Sequence, residues 1–391
     1  MPDQHSSRLG ATLREGERVT PLELFFDLVF VLAITQCTAL MAHHPTWSGL
    51  AQGLLVLGTL WWAWTGYAWL TSTVDPEEGA VRLIIFGAMA ALLLVSLCVP
   101  EAFGSLALAF ALILGVVRYA QIALFMLASP DDDGLRHSVL GLAASTLVAV
   151  SLLALASAFD GLAQGALWAL ALFLDMAGPY FFGSEGWKLM PGHFAERHGL
   201  IVIIALGESI VAIGVGASHE LSLGIGAAAV LGVALTAAMW WVYFDVVAIV
   251  SGRRLAEAET GRAQNELARD SYSYLHLVMV AGIVLTAFGL KTTIGHFGDH
   301  LHAVPAFALL GGVAIYLLGL VAFRYRHVHT VNRRKLGLAI VLLILVPVAT
   351  EVPALLALAV VNILIWSMIA YETQTYGEGR VRLRREAAGA A

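Results

Sequence analysis

The chain has 391 residues, of which 59% are hydrophobic and only 13% charged, where a soluble domain carries about 25% charged residues. That composition excludes an ordinary soluble fold, and the formal charge of -6 carries no argument for a nucleic-acid partner. The two cysteines, Cys37 and Cys98, both fall inside apolar runs, which argues against a disulfide framework or a thiolate metal site.

The first twenty residues are polar and lack the short apolar core and small-residue cleavage site of a secretory signal, so the first spanning helix is expected to remain in the mature protein. From there, apolar runs long enough to cross a hydrocarbon core of roughly 30 Å recur along the chain. They predict an all-α, polytopic membrane protein of twelve helices, at about 22 to 42, 48 to 70, 81 to 99, 103 to 127, 136 to 156, 161 to 182, 197 to 217, 222 to 249, 272 to 294, 302 to 323, 335 to 349 and 352 to 371. The short pair around Glu351 is where a count of ten would arise instead.

Orientation follows from lysine and arginine. Arg8, Arg14 and Arg18 precede the first helix, Arg253, Arg254, Arg262 and Arg269 lie between the eighth and ninth, and Arg324, Arg326, Arg333, Arg334 and Lys335 lie between the tenth and eleventh. The tail carries Arg380, Arg382, Arg384 and Arg385, whereas only Lys291 falls on the opposite side. Both termini are therefore expected in the cytoplasm.

The pattern also suggests a duplication. Helices 1 and 7 each begin with a glutamate, helices 2 and 8 carry "WWAW" and "WWVY", and six helices separate the members of each pair. An even separation gives two halves of the same orientation, a parallel repeat of the transporter kind. The expected organisation is an N-tail over 1–20, six-helix halves over 21–183 and 184–371 with a cytoplasmic connection at 250–271, and a basic C-tail over 372–391. Within that connection, Arg253 to Asp270 read as a polar helix of alternating charge.

Ionisable groups inside a span cost roughly 2.5–3.5 kcal/mol each at the helix centre and point to function. Depth along the helices, at about 1.5 Å per residue, makes Glu208 the most central, followed by Arg118, Asp175 and Asp245, with Asp27 in the first helix. Four carboxylates and one arginine suit a hydrated cavity that binds a cation or relays protons, with Arg118 as the internal counter-charge. The competing reading is a set of buried ion pairs that fix helix packing. In "TPLE", Thr20 and Glu23 fit an N-cap and capping-box pair behind a first-turn proline. Glu23 thereby has a structural explanation and Asp27 does not. "DPEE", at Asp75 to Glu78, repeats the device. His276 is a second candidate acid or base. The loop "GHFGDHLH", with His296, Asp299, His300 and His302, together with His43, His44 and His219, matches no strong zinc spacing, and neither a metal nor a cofactor is assigned.

"PLELFFDLVFVLAITQ" (Pro21 to Gln36), "HFAERHGLIVIIALGESIVAIG" (His193 to Gly214) and "WWVYFD" (Trp240 to Asp245) resemble the pattern of the bacterial low temperature requirement A family. The resemblance carries Glu23, Asp27, Glu196, Arg197, Glu208 and Asp245 as that family's polar signature, and it implies no reaction or substrate. The leading expectation is a transporter or permease-like protein, coupled to protons or cations, whose partners are membrane lipids and a small solute or ion. The rivals are a lipid-modifying enzyme that uses a carboxylate with His198 or His276, and a sensor or scaffold of membrane state.

Overall fold

The computed structural model describes residues 18–77, 79–128, 132–182, 186–217 and 222–389. Among them run twelve helices. We number these α1 (Pro21–His43), α2 (Trp47–Thr73), α3 (Gly79–Cys98), α4 (Ala107–Ala128), α5 (Asp133–Ala156), α6 (Gly161–Phe181), α7 (Pro191–Gly216), α8 (Leu223–Glu257), α9 (Arg262–Gly295), α10 (Ala303–Val328), α11 (Arg333–Ala349) and α12 (Ala354–Gly389). Ten are long and apolar enough to cross a membrane. The other two are α2, whose apolar residues are interleaved with Gly, Thr and Gln, and α11, which has 17 residues and opens on Arg333, Arg334 and Lys335. The helix pair around Glu351 is present as two separate elements, with a turn at 350–353 between them.

The helix starts follow local capping chemistry. Thr20 N donates to Glu23 Oε2 at 2.9 Å, and Glu23 N to Thr20 Oγ1 at 3.3 Å, the reciprocal capping box that the sequence predicts. Asp132 accepts from Leu135 N, Ser222 from Ile225 N, and Asn332 from both Arg334 N and Lys335 N, each satisfying donors that the first helical turn leaves unpaired. Ahead of α3, Asp75 accepts from Glu77 N; Glu78 lies outside the described residues, as do Arg8, Arg14 and His219. The 250–271 connection is not one polar helix. It breaks after Glu257 and resumes at Arg262, because Gly261 takes a φ of +102° that other residues rarely adopt.

Burial is inverted relative to a water-soluble protein. Leu162 and Leu223 are 90% and 96% exposed, and Leu83, Phe173, Ile344 and Ile363 also face outward, while Glu23, Asp27, Arg118, Arg197 and Glu208 are buried. In water that arrangement would be heavily penalised on both counts; against hydrocarbon only the buried charges need compensation. Cys37 and Cys98 are buried and form no disulfide.

The chain divides into two compact units, Met1–Cys37 with Gln52–Arg197 and Ala258–Glu266, and Thr38–Ala51 with His198–Glu257 and Leu267–Ala391. In the first, α3, α4, α5 and α6 pack in sequential order. In the second, α9 packs on α10, α10 on α11, and α12 on α8. The α9–α10 contact is set by glycines on both helices. A Cβ on Gly282 would stand 2.5 Å from Tyr316 N, one on Gly289 2.5 Å from Leu309 N, and one on Gly312 2.7 Å from Thr286 N. "GLAQG" (Gly161 to Gly165), the small-residue spacing conspicuous in the sequence, makes no such contact: a Cβ on either glycine would meet no heavy atom within 4 Å. Each of α9 and α10 also contains a π-helical stretch, Arg269–Leu275 and Phe307–Gly311, a distortion frequent at functional sites.

Candidate functional site: a buried carboxylate, histidine and arginine cluster

The first unit contains two separate charge clusters. In one, Arg197 on α7 faces both carboxylates of α1. Its Nη2 donates to Asp27 Oδ1 at 3.0 Å and its Nη1 to Glu23 Oε1 at 3.3 Å. Trp64 Nε1 donates to the same Asp27 oxygen at 2.8 Å, and His193 Nε2 lies 2.8 Å from Glu23 Oε1. Further donations run from Arg197 Nη1 to the Tyr67 carbonyl at 3.4 Å and to the Thr71 hydroxyl. The guanidinium lies near the rings of Phe26 and Trp64, 5.7 and 5.6 Å from their centroids, a cation–π arrangement that partly replaces water. No member of the charged quartet is more than 1% exposed.

These contacts arise from helical spacing. Glu23 and Asp27 stand one turn apart on α1, as do His193 and Arg197 on α7, so each helix presents a two-residue polar stripe to the other. Glu23 is therefore more than a cap: Oε2 holds the start of α1 while Oε1 meets the histidine and arginine. Asp27 Oδ2 has no hydrogen-bond partner among the described residues. Beside Glu23 and Arg197 the residual cavity is only about 10 Å³, room for about one water molecule.

In the second cluster, Arg118 on α4 pairs with Asp175 on α6 at 3.2 Å. Thr146 on α5 bridges them, accepting from Arg118 Nη2 at 3.0 Å and donating to Asp175 Oδ1 at 3.2 Å. The Trp62 carbonyl and Gln121 Oε1 accept from Arg118 Nη1. This corrects the expectation that Arg118 is the common counter-charge of the buried carboxylates. Its reach is filled by Asp175, and within this unit the cation opposite Asp27 is Arg197, which the sequence pattern marks only as a structural signature residue. Replacing Arg118 by methionine is expected to cost about 3 kcal/mol by stranding Asp175, with most of it recovered in the Arg118→Met/Asp175→Leu double variant. Thermal unfolding of the two purified proteins in detergent checks this.

In the second unit, Glu208 is 2% exposed on α7 beside Ser209. Asp245 sits where α8 is interrupted, and Arg380 Nη1 lies 2.8 Å from its Oδ2, so it has an ionic partner. Arg380 also meets Glu372 at 2.8 Å, and Glu372 meets Lys335 at 3.3 Å. His276 is fully buried: Nε2 lies 2.9 Å from the Tyr243 hydroxyl and Nδ1 3.1 Å from the Ser271 carbonyl. A carbonyl only accepts, so Nδ1 carries the proton and Nε2 accepts from tyrosine. Both ring nitrogens are thereby engaged in the core. Glu196 is exposed and accepts from Val19 N at 3.3 Å. In the 296–302 loop, the Phe297 and Asp299 carbonyls accept from Leu355 N and Ala354 N, and among the described residues no three His, Cys, Asp or Glu side chains converge as metal ligands.

Long apolar helices, an outward apolar surface and charge compensated between helices define a polytopic helical membrane protein. The chain belongs to the bacterial low temperature requirement A protein (LtrA) family, whose family model matches residues 18–370. It is similar to an uncharacterized protein of Rhizobium meliloti (strain 1021), 28% identical over 341 residues that cover 82% of this chain and 80% of the relative. No solved structure matches it significantly.

Proposed function

We propose that this protein is a proton-coupled, permease-like carrier of the bacterial inner membrane, with both termini cytoplasmic, and that Glu23, His193, Arg197 and Asp27 form its proton-binding site. Charge balance carries this reading. Within these four side chains two carboxylates face one arginine, which with a neutral histidine is one negative charge in excess. Leaving that charge uncompensated away from water is costly. One bound proton removes it, on Asp27 Oδ2 or as a second proton on His193. Proton occupancy would thereby be coupled to how α1 and α7 engage, which is the element that alternating access requires. The parallel duplication of 21–183 and 184–371 belongs to the same proposal.

The prediction is that infrared difference spectra of the purified protein, between alkaline and acidic buffer, contain a protonated-carboxyl band that the Asp27→Asn variant lacks or shifts. In proteoliposomes the same variant is expected to lose pH-gradient-driven solute flux at least about tenfold, which is on the order of 1.4 kcal/mol. Identical spectra and fluxes would remove Asp27 from the mechanism.

A second reading, a scaffold whose ion pairs fix helix packing, is favoured by the small cavity of about 10 Å³ beside Glu23 and Arg197. It predicts that the cluster exchanges no proton between those buffers while the variants still lose stability.

A further inference from the structure

A concave pocket of about 520 Å³ opens in the second unit where the interruption of α8, the end of α10, the start of α11 and the 369–380 stretch of α12 meet. Its volume lies within the range of small-ligand sites, about 300–1,000 Å³. Seven charged side chains line it: Arg324, Arg333, Arg334, Lys335, Arg380, Asp245 and Glu372. Four of these neutralise one another as a continuous chain, Asp245 to Arg380 to Glu372 to Lys335, with contacts of 2.8, 2.8 and 3.3 Å. The other three, Arg324, Arg333 and Arg334, form no salt bridge among the described residues.

Two of those three are positioned by neighbours that leave the positive charge unbalanced. Arg334 lies over the Tyr371 and Tyr376 rings, 4.5 and 5.2 Å from their centroids, and donates to the Tyr376 hydroxyl at 3.1 Å. Arg324 Nε donates to the Thr330 hydroxyl at 3.2 Å. The helix α12 departs from helical geometry at Tyr376 (φ -123°, ψ 15°), and beyond that point Arg380 meets Asp245 and Glu372 in the pocket. The start of α11 adds the partial positive charge of a helix N-terminus. A positively charged surface facing the cytoplasm needs no ligand when it is flat and hydrated, but here three guanidiniums converge on a preformed concavity whose remaining charges are already paired.

We propose that this pocket binds the phosphate group of an anionic ligand, with Arg324 and Arg333 as its principal donors and Arg334 as a stacked, pre-oriented third. Guanidinium forks match phosphate oxygens in planar, charge-assisted pairs, which is why arginine suits this chemistry. The phosphate could be carried by a soluble anion or by a lipid headgroup, and the two sources are separable.

The test uses the full chain purified in an uncharged detergent. Isothermal calorimetry with inorganic pyrophosphate probes the soluble source. Mixed micelles containing phosphatidylglycerol, compared with phosphatidylcholine alone, probe the headgroup source by the rise in Tm. Saturable binding in at least one arm is expected, weakening as salt is added and weakened about tenfold or more in the Arg324→Gln/Arg333→Gln variant. Arg254→Gln, which removes an exposed arginine elsewhere, is expected to bind as wild type. Response to pyrophosphate alone would assign a soluble ligand, and response to phosphatidylglycerol alone a headgroup. Saturation in neither arm, or equal binding by the double variant, would overturn the proposal. None of these outcomes depends on the proton-binding cluster.

Discussion

Replacing Arg197 by methionine is expected to destabilise the protein by about 3–5 kcal/mol, the cost of stranding buried charge. The side chain contacts both Glu23 and Asp27 and, unlike His193, carries its charge without taking up a proton. It also donates to the Tyr67 carbonyl and Thr71 hydroxyl on α2, so one substitution loosens the junction of three helices. The sign of a compensating change distinguishes charge from shape. Arg197→Met combined with Asp27→Asn removes one cation and one anion, and should recover more stability than Arg197→Met with the neutral, size-matched Thr71→Val. Midpoints of thermal unfolding and the yield of monodisperse protein read both comparisons. Equal losses in the two double variants would mean that packing, not ion pairing, sets the stability of this junction.

The second large effect is steric. Gly282→Val on α9 would place a branched side chain where even a Cβ stands 2.5 Å from Tyr316 N and 2.7 Å from the Gly312 carbonyl oxygen. Both neighbours are backbone of a packed helix and cannot swing aside, so α9 and α10 must separate. Overpacking typically costs about 1–3 kcal/mol, and the loss should reach the top of that range. Gly298→Val, with nothing within 4 Å of its Cβ position, should leave the unfolding midpoint nearly unchanged. A comparable loss at both glycines would show that the α9–α10 contact is not the reason for the effect.

The helices were legible because each is written in its own residues: an uninterrupted apolar run has one length that fits a bilayer, and Thr20 with Glu23, or Asn332, mark the starts locally. The ion-pair map was not. Asp27 and Arg197 are 170 positions apart, and the choice between Arg197 and Arg118 as partner depends on how each helix is rotated about its axis. Depth alone ranks candidates but carries no rotation, and so it favoured the more central Arg118. A signal was nevertheless present. His193 and Arg197 repeat the four-residue spacing of Glu23 and Asp27, and matched stripes on two helices are what interhelical pairing produces. The glycine contacts of α9 and α10 were hidden for a related reason: small residues mark a close approach only when a partner helix is opposite, which Gly161 and Gly165 lack.

The distance in sequence between the two halves of the cluster also bears on how the chain is made. A ribosome adding about 5–20 residues per second finishes Arg197 roughly ten to thirty seconds after Asp27. During that interval α1 carries two carboxylates with no arginine opposite them. It must then enter the bilayer with those groups protonated, or wait near the water interface, and take its final depth only when α7 arrives. The arginine that completes the cluster would thus also act as a late checkpoint in membrane insertion.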